Sequence, residues 1–215
     1  MVYCISDIHG ELEKFHSMLE LIKFSEEDTL YIIGDAIDRG PDGVEVIEEI
    51  MNTSNMVMIL GNHEKMCLGA LGPNNQLGDY YRWAHNGGDV TYNQLVNVCS
   101  KERRNRILEF IEGLPDHLEI EVNGQKYHLV HGYPSSYTYA RVWDRPEKVE
   151  KAPIEGMITI IGHTPTSYMP NRRGQIMSIW HGNGLINIDC GCGVSNIFGR
   201  LGCLRLDDME EFYVN

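Results

Sequence analysis

The chain has 215 residues, 42% of them hydrophobic, which is enough for a sizeable core without a disulfide scaffold. A formal net charge of −13, from 18 basic and 31 acidic residues, excludes a broad nucleic-acid footprint, which needs a basic face. It does not exclude a nucleotide as substrate, because bound metals reverse the local sign of a site. No run of about 18 apolar residues occurs, and the N-terminus has neither a basic segment nor a signal-like apolar region. We therefore expect no membrane span, a cytoplasmic protein, and one larger domain over residues 1–215.

Val2–Ser6 reads as a buried strand, a short apolar run that ends in polar chemistry. Leu12, Phe15, Leu19 and Ile22 then recur at helical spacing, which predicts an amphipathic helix from Glu11 to Phe24. Thr29–Ile33 is a second strand. Pro41 opens a second helix, with Val44, Ile47 and Ile50 on one face, and Met56–Leu60 is a third strand. Strand, helix, strand, helix, strand is the pattern of an α/β layer structure with a parallel sheet.

The pattern changes after His63. Residues 72–88 are rich in Gly, Asn and aromatics and read as a loop or cap insertion, with helices following at about 89–99 and 102–112. Asn123-Gly124, between Leu118–Val122 and Gln125–Val130, predicts a hairpin. Further strands are expected at 157–161, 185–189, 202–206 and 211–214. The chain thus starts α/β and ends β-rich, which fits two sheets face to face with helices outside and a helical and loop insertion at about 72–112.

Polar groups cluster just after the apolar runs. Asp7 and His9 follow the first strand, Asp35 the second, and Asn62 and His63 the third. His131 follows the second hairpin strand, and His163 follows the run ending at Ile161. Catalytic groups commonly lie beyond the carboxyl ends of parallel strands, where loops converge. Carboxylate, amide oxygen and imidazole suit two borderline divalent metals side by side, and Asp35 is the candidate bridging carboxylate. Each fragment alone has a plain explanation: Asp35 and Asp38 as turn residues, Asn62 as a helix N-cap. Their joint order at successive strand ends argues for the metal centre.

The segments Asp7-Ile8-His9, Gly34-Asp35-Ala36-Ile37-Asp38-Arg39-Gly40, Gly61-Asn62-His63-Glu64, His131-Gly132 and Gly162-His163 resemble the phosphoprotein phosphatase family of metallophosphoesterases. The resemblance spans nearly the whole chain. Its length and the Trp83…Asn86-Gly87-Gly88…Thr91 segment look most like the small bacterial and phage, lambda-type, serine/threonine protein phosphatases. The resemblance implies a four-layer αββα fold of two mixed sheets. It implies that Asp7, His9 and Asp35 hold one metal, and Asp35, Asn62, His131 and His163 the other. Arg39 would grip phosphate oxygens, for which a planar guanidinium is suited, and His63 would protonate the leaving oxygen, oriented by Asp38. A second phosphate-binding arginine is expected; Arg145 is the first candidate and Arg141 the second. Pro146-Glu147 follows Arg145 where the small phosphatases often carry a further arginine, and Tyr133 after Gly132 is another departure, expected to reshape the cleft.

The implied activity is hydrolysis of phosphomonoesters by direct in-line attack of a hydroxide activated by two divalent metals. Manganese is the expected metal, with iron, zinc, cobalt or nickel also accepted by such ligands. The implied substrate is a phosphoserine, phosphothreonine or phosphotyrosine protein, or a small phosphate ester. The rival with the same machinery is a symmetrical bis(5'-nucleosyl)-tetraphosphatase acting on dinucleoside polyphosphates.

Several residues are expected to have no chemical role. Cys4 and Cys203 look like core residues, and Cys190-Gly191-Cys192 reads as a glycine-rich turn with packed thiols rather than a metal or redox pair. By the resemblance, however, the loop from about Cys190 to Arg200 overhangs the metal site, so a role in oxidation is a second expectation for these thiols. Glu64 is expected to support neighbouring groups, His117 to sit in a loop and His181 in a turn.

Overall fold

In the computed structural model, which describes residues 1–215 except 74, 148, 149, 173 and 196, two five-stranded mixed sheets lie face to face, flanked by helices. The first sheet runs through β1 (Val2–Ile5), β2 (Thr29–Ile32), β3 (Met56–Met58), β9 (Leu201–Arg205) and β10 (Glu211–Val214), in the order β10-β9-β1-β2-β3. β1, β2 and β3 are parallel, as their strand–helix alternation requires, and β9 and β10 join antiparallel. The second sheet has β4 (His117–Val122), β5 (Gln125–Val130), β6 (Ile158–Ile161), β7 (Trp180–His181) and β8 (Leu185–Asn187), in the order β4-β5-β6-β8-β7.

Alternation along the strands builds the layers. Tyr3 and Ile5 of β1, with Leu30 and Ile32 of β2, face a cluster containing Phe15 and Met18 of α1 (Leu12–Leu21) and Val46 and Ile50 of α2 (Gly43–Asn52). The intervening Cys4, with Ile33 and Leu204, faces Tyr127, Leu129, Ile160 and Ile186 of the second sheet. On the far side of that sheet Val130, Ile161 and Leu185 lie under Met169 and Tyr133, so the outer cover there is mostly connecting chain. Each element that stands on the site therefore has one face held by packing, and its carboxyl end is left to carry polar groups.

The insertion is more helical than its composition suggests. After α3 (Asn62–Leu71) come α4 (Leu77–Trp83), a π-turn at Ala84–Gly88, α5 (Asp89–Asn93), a second π-turn at Gln94–Val98 and α6 (Lys101–Glu112). Trp83, Leu95, Ile107 and Ile111 pack in one cluster with Ile37, Val44 and Ile47, and the expected loop at 72–88 is largely a helix packed on α3. Its helical period was hidden by Gly, Asn and Tyr, which are weak helix formers that packing overrides.

α7 (Thr138–Trp143) is a short helix with only Val142 fully buried, too little periodicity to read in the sequence. Three further expectations are corrected. His117 begins β4 rather than lying in a loop, and its ring stands 5.2 Å from that of His128. His181 lies in β7, not a turn, and pairs with Glu211 at 2.7 Å. Cys190 and Cys192 are 2% and 1% exposed and sit in the two core clusters, which removes the expectation of an oxidisable pair over the metal site. Burial pushes the Cys190 thiol well up and that of Cys192 to about 12, so neither forms the reactive thiolate at neutral pH.

Candidate active site

Ten non-glycine residues among those described adopt left-handed backbone, and six of them are predicted site residues: Asp7, His9, Asp35, Asp38, Arg39 and His163. That conformation is unfavourable for most side chains and persists where surrounding structure enforces it. Here the loops after β1 and β2 lace together. The Asp7 N–H donates to Gly34 O at 3.2 Å, the His9 N–H to Asp35 O at 3.0 Å, and the Gly10 N–H to Ala36 O at 2.8 Å. Glu64 completes the lacing from α3. Its carboxylate accepts the N–H groups of Asp35 (2.9 Å), Ala36 (2.9 Å) and Gly61 (3.1 Å), which is the supporting role expected of it. Burial, then the nearby charge of Asp35, pushes the Glu64 carboxyl up to about 7.

The predicted ligands converge on Asp35. Its Oδ2 lies 3.2 Å from His131 Nε2 and 3.9 Å from both His9 Nε2 and His63 Nε2. Asn62 Oδ1 lies 2.9 Å from His131 Nε2 and 2.8 Å from His163 Nδ1. Asp7 Oδ1 is 3.8 Å from His9 Nε2, while its Oδ2 accepts the His163 N–H at 3.1 Å and the Ser6 hydroxyl. All six candidate ligands are thus neighbours. Two three-residue groups, His9–Asp35–His63 and Asp35–His131–His163, have donor atoms all within 4.8 Å of one another, and both contain Asp35. The first includes His63, for which a proton-donor role was expected, where the expectation had Asp7.

The chemistry of this donor set fits metal ions. Each of the three candidate imidazole ligands faces a backbone carbonyl with one ring nitrogen: His9 Nδ1 to Ile37 O at 3.1 Å, His131 Nδ1 to Ile33 O at 2.7 Å, His163 Nε2 to Trp143 O at 3.0 Å. A carbonyl only accepts, so those nitrogens carry the protons and the opposite ones turn lone pairs toward Asp35 and Asn62. Acceptor then faces acceptor at under 3 Å on both sides of Asn62 Oδ1, an arrangement that is favourable only around a cation or a proton.

The electrostatics agree. Burial and then the His63 charge hold His9 well below the usual imidazole range, and burial and then the His131 charge push His163 down to about 3, so both stay neutral and able to ligate. His131 goes the other way. Burial opposes its charge, but Asp35 outweighs burial and pushes the imidazole up to about 10, so that a proton takes the place a cation would hold. Asp35 itself is held well below the carboxylate range because His131 and His63 outweigh its burial.

Beside this centre stands the predicted acid pair. His63 Nδ1 lies 2.6 Å from Asp38 Oδ2, with both side chains buried. Burial would lower the imidazole, but the Asp35 charge and the Asp38 hydrogen bond outweigh it and raise the His63 pKa. Arg39 reaches in with Nη1 2.8 Å from His9 Nε2 and Nη2 3.3 Å from His63 Nε2. A cavity of about 200 Å³ opens over these groups, lined by Asp7, Asp35, Arg39, Asn62, His63 and His163. Arg145 also lines it, its guanidinium 5.9 Å from the Tyr168 ring. Arg141 does not: it binds Asp116 and Ser135 O, so of the two candidates Arg145 is the one at the site.

Sequence reading missed four contributors. Asp189 lines the cavity, 2% exposed, and burial pushes its carboxyl up to about 6. It follows Leu185-Ile186-Asn187-Ile188, a strand that Asn187 interrupts, so the strand-end rule applied to the other ligands marks it only weakly. Trp143 supplies the carbonyl that orients His163, and a backbone group leaves no mark in a sequence. Tyr168 and Val194 line the mouth from loops whose approach only the fold decides.

Comparison with known proteins places these features. The family model for calcineurin-like phosphoesterase matches residues 1–182. The chain is 34% identical over 137 residues to a protein named serine/threonine-protein phosphatase 2 from Escherichia coli K12, covering 63% of this chain and 60% of that one. It is 31% identical over 152 residues to a symmetrical bis(5'-nucleosyl)-tetraphosphatase of Chromobacterium violaceum, covering 69% of this chain and 49% of that one. The chain therefore spans less than two thirds of the length of either relative. The crystal structure of a metallophosphoesterase from Sphaerobacter thermophilus superposes with a TM-score of 0.62 at 17% identity, covering 100% of this chain and 88% of that one.

Proposed function

This chain belongs to the calcineurin-like phosphoesterase family of hydrolases, and we propose that it is a metal-dependent phosphomonoesterase acting on phosphoserine and phosphothreonine proteins, with phosphotyrosine also within reach. One observation carries the reading: a buried Asp38–His63 pair, 2.6 Å apart, stands beside an Asp35-centred donor set under a cavity that two arginines enter. Asp7, His9, Asp35, Asn62, His131 and His163 would hold two divalent ions, manganese first. Such a pair, when bound, supplies charge neutralisation and an activated water.

The chain's own residues do the rest. Arg39 and Arg145 bind the non-bridging phosphate oxygens, and the guanidinium geometry orients the ester for in-line displacement. His63 keeps its Nδ1 proton on Asp38 and presents Nε2 to the cavity, where it gives a proton to the departing oxygen. Asp38 fixes the ring and favours its protonated form. No cysteine takes part, since those in reach of the site are buried and protonated. We read residues 1–215 as one domain, because the 72–112 insertion shares a hydrophobic cluster with α2 and α3.

The likeness to a tetraphosphatase supports a second substrate class, dinucleoside polyphosphates. The phosphatase reading is favoured by the Trp83…Asn86-Gly87-Gly88 segment. Among the described residues no helix is long and apolar enough to cross a membrane. The test strips metal from the protein, re-supplies manganese, and measures phosphate release from p-nitrophenyl phosphate, a phosphoserine peptide and diadenosine tetraphosphate, with His63→Asn as control. Manganese-dependent turnover of the first two, with that of the phosphoserine peptide collapsing in the variant, supports the proposal. Turnover of the dinucleotide alone moves the substrate assignment, and no turnover of any ester overturns the reading.

A further inference from the structure

The Trp83…Asn86-Gly87-Gly88…Thr91 stretch has a place in the family resemblance but no chemical task. In the structure its fixed points close on Asp38-Arg39. Trp83 Nε1 donates to Asp38 Oδ2 at 2.6 Å, the oxygen that His63 Nδ1 also meets at 2.6 Å. Trp83 and Asp38 are both 0% exposed, and Asp38 Oδ1 has no hydrogen-bond partner among the described residues. Thr91 Oγ1 accepts the Asp38 N–H at 3.0 Å, and Gly87 O accepts the Arg39 N–H at 3.0 Å.

Asp38 and Arg39 are consecutive left-handed residues, with φ of 73° and 69°. Outside glycine that backbone is unfavourable and persists only where its surroundings hold it. The segment 83–91 holds it at three points. Gly87, at φ 93°, reverses the π-turn so that its carbonyl faces Arg39, and a Cβ there would meet Arg39 Cγ at 2.9 Å. A Cβ on Gly88 would run into the Trp83 indole. The two glycines are the clearances that let the indole and the carbonyl reach the turn.

We propose that Trp83 is a positioning residue for the proton-donor pair and that Trp83–Thr91 is a brace built for this. Trp83 holds the Asp38 carboxylate, and through it sets the ring plane of His63 and the direction of Nε2. A buried tryptophan is ordinarily core, and this one does pack against Ile37, Val44 and Leu95. Packing alone needs only the ring. The N–H bond, placed on the one carboxylate oxygen that His63 uses, is what a positioning role requires and a core role does not.

The inference rests on the reading of His63 as proton donor, and the test separates the two. Trp83→Phe keeps an aromatic ring in the cluster and removes the N–H. With manganese-loaded protein, kcat is measured on phenyl phosphate, whose leaving oxygen needs the proton, and on p-nitrophenyl phosphate, which leaves readily as the anion. We expect a loss of roughly ten-fold or more on phenyl phosphate, roughly three-fold or less on p-nitrophenyl phosphate, and KM within about two-fold on both. Equal losses on the two esters, or none, overturn the brace. Wild-type protein that turns over neither ester removes the His63 reading itself.

A second readout needs no turnover. The Trp83 indole N–H resonance, assigned by its disappearance in Trp83→Phe, should lie downfield and move upfield in Asp38→Asn. An indole resonance that ignores Asp38→Asn overturns the brace. If Trp83→Phe does not fold, Thr91→Val removes the acceptor of the Asp38 N–H, and the same split between the two esters is expected.

Discussion

Arg141 donates from Nη1 to both carboxylate oxygens of Asp116, at 2.9 Å each, and so ties α7 to the start of β4. Thr138 and His117 add contacts to the same carboxylate at 2.6 and 2.7 Å. Burial alone would raise the Asp116 pKa, but the hydrogen bonds from Thr138, His117 and Arg141 outweigh it and hold the carboxyl down to about 2. A depressed folded-state pKa gives stability that is complete above the unfolded value, near 4, and lost as pH falls through about 2. Asp116→Asn should therefore destabilise the protein by about 1 kcal/mol near neutral pH, discounted because the pair is partly solvated. The gap to wild type should close as pH falls from about 4 toward 2. Urea unfolding across that range checks both, and a pH-independent gap counts against an ionic clamp.

The position of the two arginines separates their roles. Arg145 lines the cavity, and Arg141 is spent on Asp116 and Ser135. Arg145→Ala should raise KM for p-nitrophenyl phosphate by roughly ten-fold, the loss of one charge-assisted phosphate contact. Arg141→Ala should instead lower the melting temperature. Steady-state kinetics beside thermal unfolding distinguishes the two, and a reversed pattern would exchange the assignments.

Asp35 belongs to both groups of converging donors. Asp35→Ala should abolish binding of both manganese ions, whereas His131→Ala should leave one. Equilibrium dialysis followed by elemental analysis counts the ions per chain. Manganese should also raise the melting temperature of wild type in a concentration-dependent way, because the ligands converge only in the folded chain. Loss of a single ion in Asp35→Ala would remove it as the shared ligand.

Glu64 accepts the buried N–H groups of Asp35, Ala36 and Gly61. Glu64→Ala leaves these donors unpaired and should cost about 2–4 kcal/mol. Glu64→Gln keeps one acceptor oxygen and should recover part of it. Chemical denaturation of the three proteins gives the order directly, and equal stability of Ala and Gln variants would contradict it.

The six free thiols differ in access: Cys99 is partly exposed and the other five are buried. A chromogenic thiol reagent should titrate one thiol in native protein and all six after denaturation. Fast reaction of Cys190 or Cys192 in the native state would mean that the loop carrying them opens.

The αββα architecture and most of the candidate site were legible in the sequence for one reason. A strand that is apolar to its end and then turns polar marks where a sheet meets its active edge. Asp7, His9, Asp35, Asn62, His131 and His163 all obey that rule, and the structure brings all six together. Asp189 follows it only loosely, because Asn187 interrupts the apolar residues before it. Residues 72–88 hid a helix because their helix-forming face is stabilised by the Trp83 cluster, a property of the packed state rather than of local propensity.

By itself, the sequence determined the kind of atoms that converge: which oxygens and which imidazoles. Those follow from residue type and from the alternation that fixes which side chains leave the core. Tertiary structure alone decided which lone pairs face each other, because a ring's tautomer is set by carbonyls of Ile33, Ile37 and Trp143 that arrive from distant segments. It alone chose Arg145 over Arg141, because Asp116 lies 25 residues from Arg141 and claims it across the fold. It alone joined Trp83 to Asp38, 45 residues away, since a hydrogen bond at that separation exists only once α4 has packed against the loop between β2 and α2.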